Sequence, residues 1–151
     1  IGEELAREAP VEADLVCPVP DSGTPAAIGY SQESGIPYAM GIVRNQYMGR
    51  TFIEPTQLLR DRGIRLKLNP IPENLRDKRV VLVDDSIVRG TQLKDNVRIL
   101  FEYGVKEVHI RPACPTLIYP CVFLNFSRSR STLDLAGRKA IKKVEVIKLT
   151  G

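Results

Sequence analysis

The chain has 151 residues, of which 43% are hydrophobic and 26% are charged, a composition that is ordinary for a soluble globular protein. A chain of this length is expected to form one domain with a buried core. No apolar run approaches the roughly 20 residues that a membrane-spanning helix needs, and no signal-peptide pattern opens the chain, so we expect no membrane partner.

The formal net charge is +4, from 22 basic and 18 acidic side chains. Because the basic residues are scattered, a polyanionic small substrate explains this excess as well as nucleic acid does. The three cysteines are too few for a disulfide framework, and their odd number fits a reducing compartment. We therefore predict a cytoplasmic protein that does not bind nucleic acid.

The first part of the chain predicts alternating helices and strands. An amphipathic helix over residues 1–9 stops at Pro10, a strand follows over 13–19, and a second helix runs from Pro25 to about Ser34. The turn 20–24 is rich in small and hydroxylated residues. Taken alone it is typical of a capped helix start, but a second strand-turn-helix unit further along favours anion binding at both turns.

A third strand candidate covers residues 37–43, and a long basic segment follows over 44–69. Its apolar content is too sparse for a core strand, and a connection of this length is usually a lid or a disordered segment. A solvated basic loop is the alternative. Residues 70–78 are predicted to be a polar connector.

The most informative stretch is residues 79–91. Four consecutive apolar residues, Val80 to Val83, predict a strand buried on both faces, which is typical of a parallel sheet covered by helices. The strand ends at Asp84 and Asp85, and a short turn leads to a helix that begins at Thr91.

This pattern has two interpretations. Ligands bind at the carboxyl ends of parallel strands, the N–H groups before a helix suit a phosphate, and paired acids suit hydroxyls or hydrated Mg²⁺. A sugar phosphate with a diol and a metal satisfies all three requirements. Alternatively, the acids merely end the strand and Thr91 merely caps the helix.

The rest of the chain predicts a helix over 91–103 and a strand over 107–111. Four apolar residues are expected to face the sheet from this helix: Leu93, Val97, Leu100 and Phe101. The single histidine, His109, is interpreted as a packing residue. Beyond Arg111 the pattern weakens, with a loop, an apolar patch and a helix from about Ser131.

Three strings resemble motifs of the type I phosphoribosyltransferases, and in detail of the glutamine phosphoribosyl pyrophosphate (PRPP) amidotransferases. VVLVDDSIVRGT resembles their PRPP signature, DSGT their pyrophosphate loop, and YMGRTFI followed by RLKLN their flexible lid. The resemblance implies an α/β type I phosphoribosyltransferase fold, with a mostly parallel central sheet flanked by helices and a lid over about 44–69.

The resemblance also implies roles for individual residues. PRPP would be bound by two groups of residues: Asp21, Ser22, Gly23 and Thr24 at the pyrophosphate, and Asp84, Asp85, Ser86, Ile87, Val88, Arg89, Gly90 and Thr91 at the ribose 5-phosphate. Mg²⁺ would lie near Ser22, Asp84 and Asp85. The catalytic lid residues would be Arg44, Tyr47, Arg50 and Lys67. Cys121, in the string YPC, resembles one ligand of a 4Fe–4S cluster.

The implied activity is transfer of phosphoribose from PRPP to ammonia, which gives phosphoribosylamine and pyrophosphate in the first step of purine synthesis. Because the chain opens on Ile1, we predict that residues 1–151 are a phosphoribosyltransferase domain separated from an N-terminal glutaminase domain. The resemblance further implies a homo-oligomer and purine nucleotide effectors.

Two alternatives stay open. The nucleophile could be a purine or pyrimidine base, in which case residues 112–143 would form the base pocket. A second possibility is a regulatory module that binds PRPP without turnover, although the full lid string argues against it.

Overall fold

The computed structural model describes residues 1–45, 68–119 and 135–138. Its helices and strands follow in this order: α1 (Gly2–Glu8), β1 (Leu15–Pro18), α2 (Thr24–Ser34), β2 (Ile42–Arg44), β3 (Leu68–Pro70), α3 (Pro72–Leu75), β4 (Arg79–Asp84), α4 (Thr91–Glu102) and β5 (Glu107–Pro112). Residues 136–138 form a helical turn. Within these described ranges, no helix has the length and apolar character to cross a membrane.

The central sheet is parallel, with the strand order β1-β4-β5. Residues 80–83 of β4 are fully buried because β4 has a strand on each side and helices on both faces. Val80 and Leu82 pack with Leu100 of α4, whereas the alternate residues of β4 pack against α1 and α2. The predicted parallel sheet flanked by helices is confirmed.

Hydrogen bonds between Asp14, which precedes β1, and Arg79, the first residue of β4, align the two strands. The Arg79 backbone N–H and guanidinium both donate to the Asp14 carboxylate, at 2.8 and 2.9 Å. These bonds hold the pKa of Asp14 at about 2, below its usual value. The Asp14 N–H in turn donates to the Arg79 carbonyl at 2.8 Å, which fixes the register of the two strands.

The opposite edge of the sheet is tied to the first helix. The Ala9 carbonyl, just after α1, accepts one bond from Tyr30 Oη and one from Arg111 Nε, both at 3.1 Å. Arg111 lies on β5, so its bond to Ala9 joins two residues that are 102 positions apart in the chain.

The third strand, predicted over residues 37–43, is found only in its last two residues. Residue 38 forms only an isolated bridge to Val16, and β2 pairs antiparallel with β3 in a separate two-stranded ribbon. Ile42 is buried in the core and Leu68 packs against it, which holds both strands of the ribbon in place. Residues 44 and 69, at the two ends of the predicted lid, lie in these two strands, and the lid between them stays a prediction.

Two smaller predictions need correction. Phe101 is 50% exposed and Ile99 is buried, because Ile99 lies about 60° around the helix from the buried Asn96 whereas Phe101 lies about 140° from it. The predicted connector 70–78 contains helix α3, which begins at a proline and buries Leu75 against the core.

Candidate active site

Two loops meet at the carboxyl ends of neighbouring strands. The β1 loop (residues 20–23) follows β1, and the β4 loop (residues 85–90) follows β4. Val19 N–H donates to the Val83 carbonyl at 2.8 Å, which extends the pairing of the strands up to the loops. A Cβ at position 23 would collide with the same Val83 oxygen, so only glycine allows this close approach.

The β1 loop presents polar groups to solvent. Its turn is closed by a bond from Gly23 N–H to the Val19 carbonyl at 3.0 Å and one from Thr24 N–H to the Asp21 carbonyl at 3.3 Å. The Pro20–Asp21 peptide bond is cis. The N–H groups of Asp21 and Ser22 have no acceptor among the described residues, and both side chains are exposed.

The two acids at the end of β4 occupy different environments. Asp84 is 8% exposed, and this burial raises its pKa to about 6. A hydrogen bond from Asp85 N–H to Asp84 Oδ1, at 2.9 Å, acts in the opposite direction, and the nearby Asp85 carboxylate adds to the rise. Asp85 is exposed and accepts a bond from Ser86 Oγ at 3.3 Å.

In the β4 loop several carbonyls are hydrogen-bonded, whereas several amides are unpaired. The Ile87 carbonyl accepts from Leu117 N–H at 3.4 Å, and the Val88 carbonyl accepts from Ala136 N–H at 2.8 Å. Within the parts of the chain that are described, the N–H groups of Ser86, Ile87, Val88 and Gly90 have no acceptor. Gly90, with φ of 75°, then turns the chain into α4. Unpaired amides before a helix N-terminus form an anion-binding site.

One predicted lid residue lies beside the β1 loop. Arg44, the last residue of β2, has its guanidinium 3.5 Å from the Asp21 carboxylate. The structure therefore brings Arg44 together with the β1 loop, and the β1 loop together with the acid pair. Four other predicted residues lie outside the described residues: Tyr47, Arg50, Lys67 and Cys121.

The donor set at the acid pair fits magnesium. Among residues 1–45, 68–119 and 135–138, no three His, Cys, Asp or Glu side chains converge on one point. Two carboxylates at one edge are nevertheless the hard oxygen ligands that Mg²⁺ takes when it keeps several waters and binds substrate phosphates. The residues present are therefore compatible with a hydrated Mg²⁺ ion.

The sequence did not reveal two contacts of the β4 loop, those from Leu117 and Ala136. Both come from the stretch after Arg111, where no hydrophobic periodicity indicates how the chain folds. Hydrogen bonds from a backbone N–H leave no side-chain signal, so no motif pointed to them.

Residues 2–114 match the family model of the phosphoribosyl transferase domain. The chain belongs to this family. The match includes both strands that end at the candidate site and both loops that follow them.

Comparison with individual relatives shows which enzymes of the phosphoribosyl transferase family this chain is similar to. An amidophosphoribosyltransferase of Synechocystis is 58% identical over 95% of this chain, and one of Archaeoglobus fulgidus is 56% identical over 91%. The glutamine PRPP amidotransferase of B. subtilis, solved in complex with ADP and GMP, superposes with a TM-score of 0.79 at 46% identity over 90% of this chain. The chain spans only 29%, 30% and 30% of these three proteins.

Proposed function

We propose that this chain is the phosphoribosyl-transferring part of an amidophosphoribosyltransferase, which transfers phosphoribose from PRPP to ammonia. The observation that carries this proposal is the meeting of two loops with unpaired amides on either side of an acid pair. The identity of 54–58% to amidophosphoribosyltransferases supports ammonia as the nucleophile.

The β4 loop would bind the 5-phosphate. Its unpaired N–H groups at Ser86, Ile87, Val88 and Gly90 are donors that a phosphate can accept, and the positive end of the α4 dipole favours an anion there. Thr91 and Arg89 complete the set of residues that we assign to this group.

The acid pair would bind the ribose. Asp84 and Asp85 lie at the start of the β4 loop, where their carboxylates can accept hydrogen bonds from the two ring hydroxyls. Their negative charge would also stabilise the cationic character that the sugar acquires as the leaving group departs. Mg²⁺, when bound near these residues and Ser22, would supply positive charge to the pyrophosphate.

The β1 loop would bind the pyrophosphate. The unpaired amides of Asp21 and Ser22 supply donors, Gly23 allows the loop to lie against β4, and Arg44 brings a cation within 3.5 Å of the same loop. We assign further cationic and polar contacts to Tyr47, Arg50 and Lys67 on the basis of the lid strings. A closed lid would keep water from attacking the sugar.

In the reaction, the bond between C1 of the ribose and the pyrophosphate oxygen breaks, and its electron pair leaves with the pyrophosphate. The nitrogen lone pair of ammonia forms the new bond to C1 from the opposite face, and the ammonium nitrogen then loses a proton. The chain's own residues hold both phosphate groups and stabilise charge, so no covalent intermediate with the protein is needed.

Other features of the relatives extend this proposal. A glutaminase domain elsewhere in the natural protein would supply the ammonia, and residues 1–151 would be one phosphoribosyltransferase domain. The ADP and GMP bound in the B. subtilis enzyme support purine nucleotides as effectors. A homo-oligomer and a 4Fe–4S cluster with Cys121 as one ligand stay predictions.

The test is pyrophosphate release from PRPP and Mg²⁺ with ammonia, compared in parallel with free purine and pyrimidine bases. We expect turnover with ammonia, and we expect Asp85→Asn to lower it by about 100-fold, a typical loss for one preorganised electrostatic group. The matched control is Asp77→Asn, an exposed acid at φ 61°, a conformation that Asn adopts as readily as Asp.

Asp77→Asn should retain wild-type turnover. If Asp85→Asn stays within threefold of wild type, the role of Asp85 is wrong. Turnover with a base but not with ammonia would replace the proposed nucleophile, and PRPP binding without turnover for any nucleophile would indicate a regulatory module.

A further inference from the structure

The regular pairing of β4 with β5 ends at the acid pair. The two strands are paired up to Asp84, which lies opposite Pro112, and the Ala113 N–H continues the ladder with a bond to the Asp84 carbonyl at 2.8 Å. Donors alternate along each strand of a parallel ladder, so the next donor would be the N–H of residue 115. Residue 115 is a proline and has no N–H. The regular ladder therefore cannot continue past Asp84.

A different donor holds the second acid. The Cys114 N–H, directly after Ala113, donates to the Asp85 carbonyl at 3.0 Å. Successive carbonyls of an extended strand point to opposite sides, so a straight strand cannot turn both the Asp84 and the Asp85 carbonyl towards β5. The chain consequently bends at Asp85. In a straight strand the two acid side chains would also point to opposite faces, and the bend takes Asp85 out of this alternation.

Peptide planarity transmits these two bonds to the acid side chains. Because the carbonyl and both flanking Cα atoms of a peptide lie in one plane, a hydrogen bond to the carbonyl orients the whole unit. The Ala113 bond orients the Asp84–Asp85 peptide, whose N–H donates to Asp84 Oδ1 at 2.9 Å. The Cys114 bond orients the Asp85–Ser86 peptide, and Ser86 Oγ donates to Asp85 Oδ1 at 3.3 Å. Each acid is thus held through its own backbone and by one hydrogen bond to its carboxylate.

We propose that Cys114 is a positioning residue for the acid pair. Its backbone N–H fixes the bend at Asp85 and so allows both carboxylates to reach the neighbouring hydroxyls of one sugar. The Cys114 side chain is exposed, so the role belongs to its N–H and not to its thiol. This inference rests on the proposed function, which assigns the ribose to the acid pair. Cys114 itself need not touch the ribose.

The test is Cys114→Pro, which removes the N–H donor. The matched control is Cys114→Ala, which keeps the N–H and removes only the exposed thiol. A second variant removes the donor without a proline ring: translation with a tRNA that carries lactic acid places an ester linkage at position 114. This ester variant differs from Cys114→Ala only in having an oxygen atom where the N–H stands.

Binding is measured by calorimetry on the full-length protein, at constant Mg²⁺, with ribose 5-phosphate and 2-deoxyribose 5-phosphate. The two probes share the phosphate and differ in one hydroxyl, so the ratio of their affinities reports on the contact between the sugar and the acids. We expect wild type and Cys114→Ala to prefer ribose 5-phosphate about tenfold, the effect of one hydrogen bond to a charged group. In Cys114→Pro and the ester variant this preference should fall to about twofold or less, because the misaligned acids lose that bond, while binding of 2-deoxyribose 5-phosphate should change less than about threefold.

Three results would overturn the role of Cys114: unchanged binding of both probes in the two variants, equal weakening of both probes, or the same loss of preference in Cys114→Ala. If Cys114→Pro does not fold, the ester variant gives the same comparison. A wild-type protein that binds neither probe, or binds both equally well, would instead contradict the proposed function, so the two failures can be told apart.

Discussion

At the scale of single residues, Asp84 carries an energetic cost that the fold tolerates. A carboxylate at 8% exposure loses most of its hydration, and only one described group, the Asp85 N–H, donates to it. Its neighbour Asp85 places a second negative charge close by. A site that holds unfavourable charge in the free protein gains stability when a cation or a hydroxyl pair arrives.

The pKa of Asp84 gives this cost a pH dependence in the metal-free protein. The folded pKa of about 6 lies above the value of about 4 expected for an unfolded chain. Between these two values the folded state binds more protons than the unfolded state, so stability falls as the pH rises through this window. Below pH 4 the ionised Asp84 causes no loss of stability, and above pH 6 this loss is fully present.

We therefore expect Asp84→Asn to be more stable than wild type at pH 8, by on the order of 1–2 kcal/mol, and equally stable at pH 4. Asparagine keeps an oxygen that can accept the Asp85 N–H bond but carries no charge. The measurement is urea denaturation in EDTA at pH 4, 6 and 8. A gap that does not widen from pH 4 to pH 8 would contradict the expected ionisation, and Asp77→Asn should show no such widening.

The sequence predicted those residues of the site that lie in one continuous stretch of chain. Asp84 and Asp85 directly follow an apolar run, and Gly90 directly precedes a helix, so one continuous string contained the acid pair and the loop. Ala136 could not be found this way. Its contact to Val88 joins residues that are far apart in the chain and uses only backbone atoms.

At the scale of elements, the β1 loop depends on its fit against β4. A Cβ on residue 23 would collide with the Val83 carbonyl and lie 2.9 Å from the Val19 carbonyl, and both are backbone atoms of buried residues. Such atoms cannot move as the end of a flexible side chain can. The loop must therefore shift if residue 23 is enlarged.

We expect Gly23→Ala to lower the free energy of unfolding by about 1–3 kcal/mol, the usual range for overpacking, and to weaken pyrophosphate binding. Denaturant titration and calorimetry measure the two effects. Gln32→Ala, an exposed change on α2, serves as control and should alter neither quantity. A Gly23→Ala variant as stable as wild type would show that the loop has more room than its distances indicate.

Element predictions succeeded where the apolar pattern was unambiguous. The run 80–83 predicted a strand buried on both faces, and the structure has this strand as β4. The stretch 37–43 is also apolar, but a short apolar run does not show which sheet a strand joins, and only its last two residues are in the ribbon, paired with residues 69 and 70. The inward face of α4 was misjudged, so Phe101 was assigned to the core and Ile99 was not.

At the scale of the whole molecule, contacts between distant parts of the chain hold the central sheet of the described residues together. Arg79 meets Asp14 across 65 residues, and Arg111 meets Ala9 across 102. The site lies where β1 and β4 end together, so its two loops are brought together by the sheet and not by sequence proximity. The fold class was predictable, because a buried strand followed by a loop and a helix occurs twice.

The strand order β1-β4-β5 also has a consequence for the path by which the chain folds. Pairing β4 with β5 closes a short loop through α4, whereas pairing β1 with β4 closes one of 65 residues. Loop closure costs roughly 0.6 kcal/mol more for each doubling of length, so the β4-α4-β5 unit should form in the transition state and β1 should dock later.

Leu100→Ala should then mainly slow refolding, whereas Val16→Ala should mainly speed unfolding, as measured by stopped-flow kinetics. The opposite assignment would mean that β1 belongs to the nucleus. If the expected order holds, a newly made chain completes its β4 loop before its β1 loop has a paired strand to rest on.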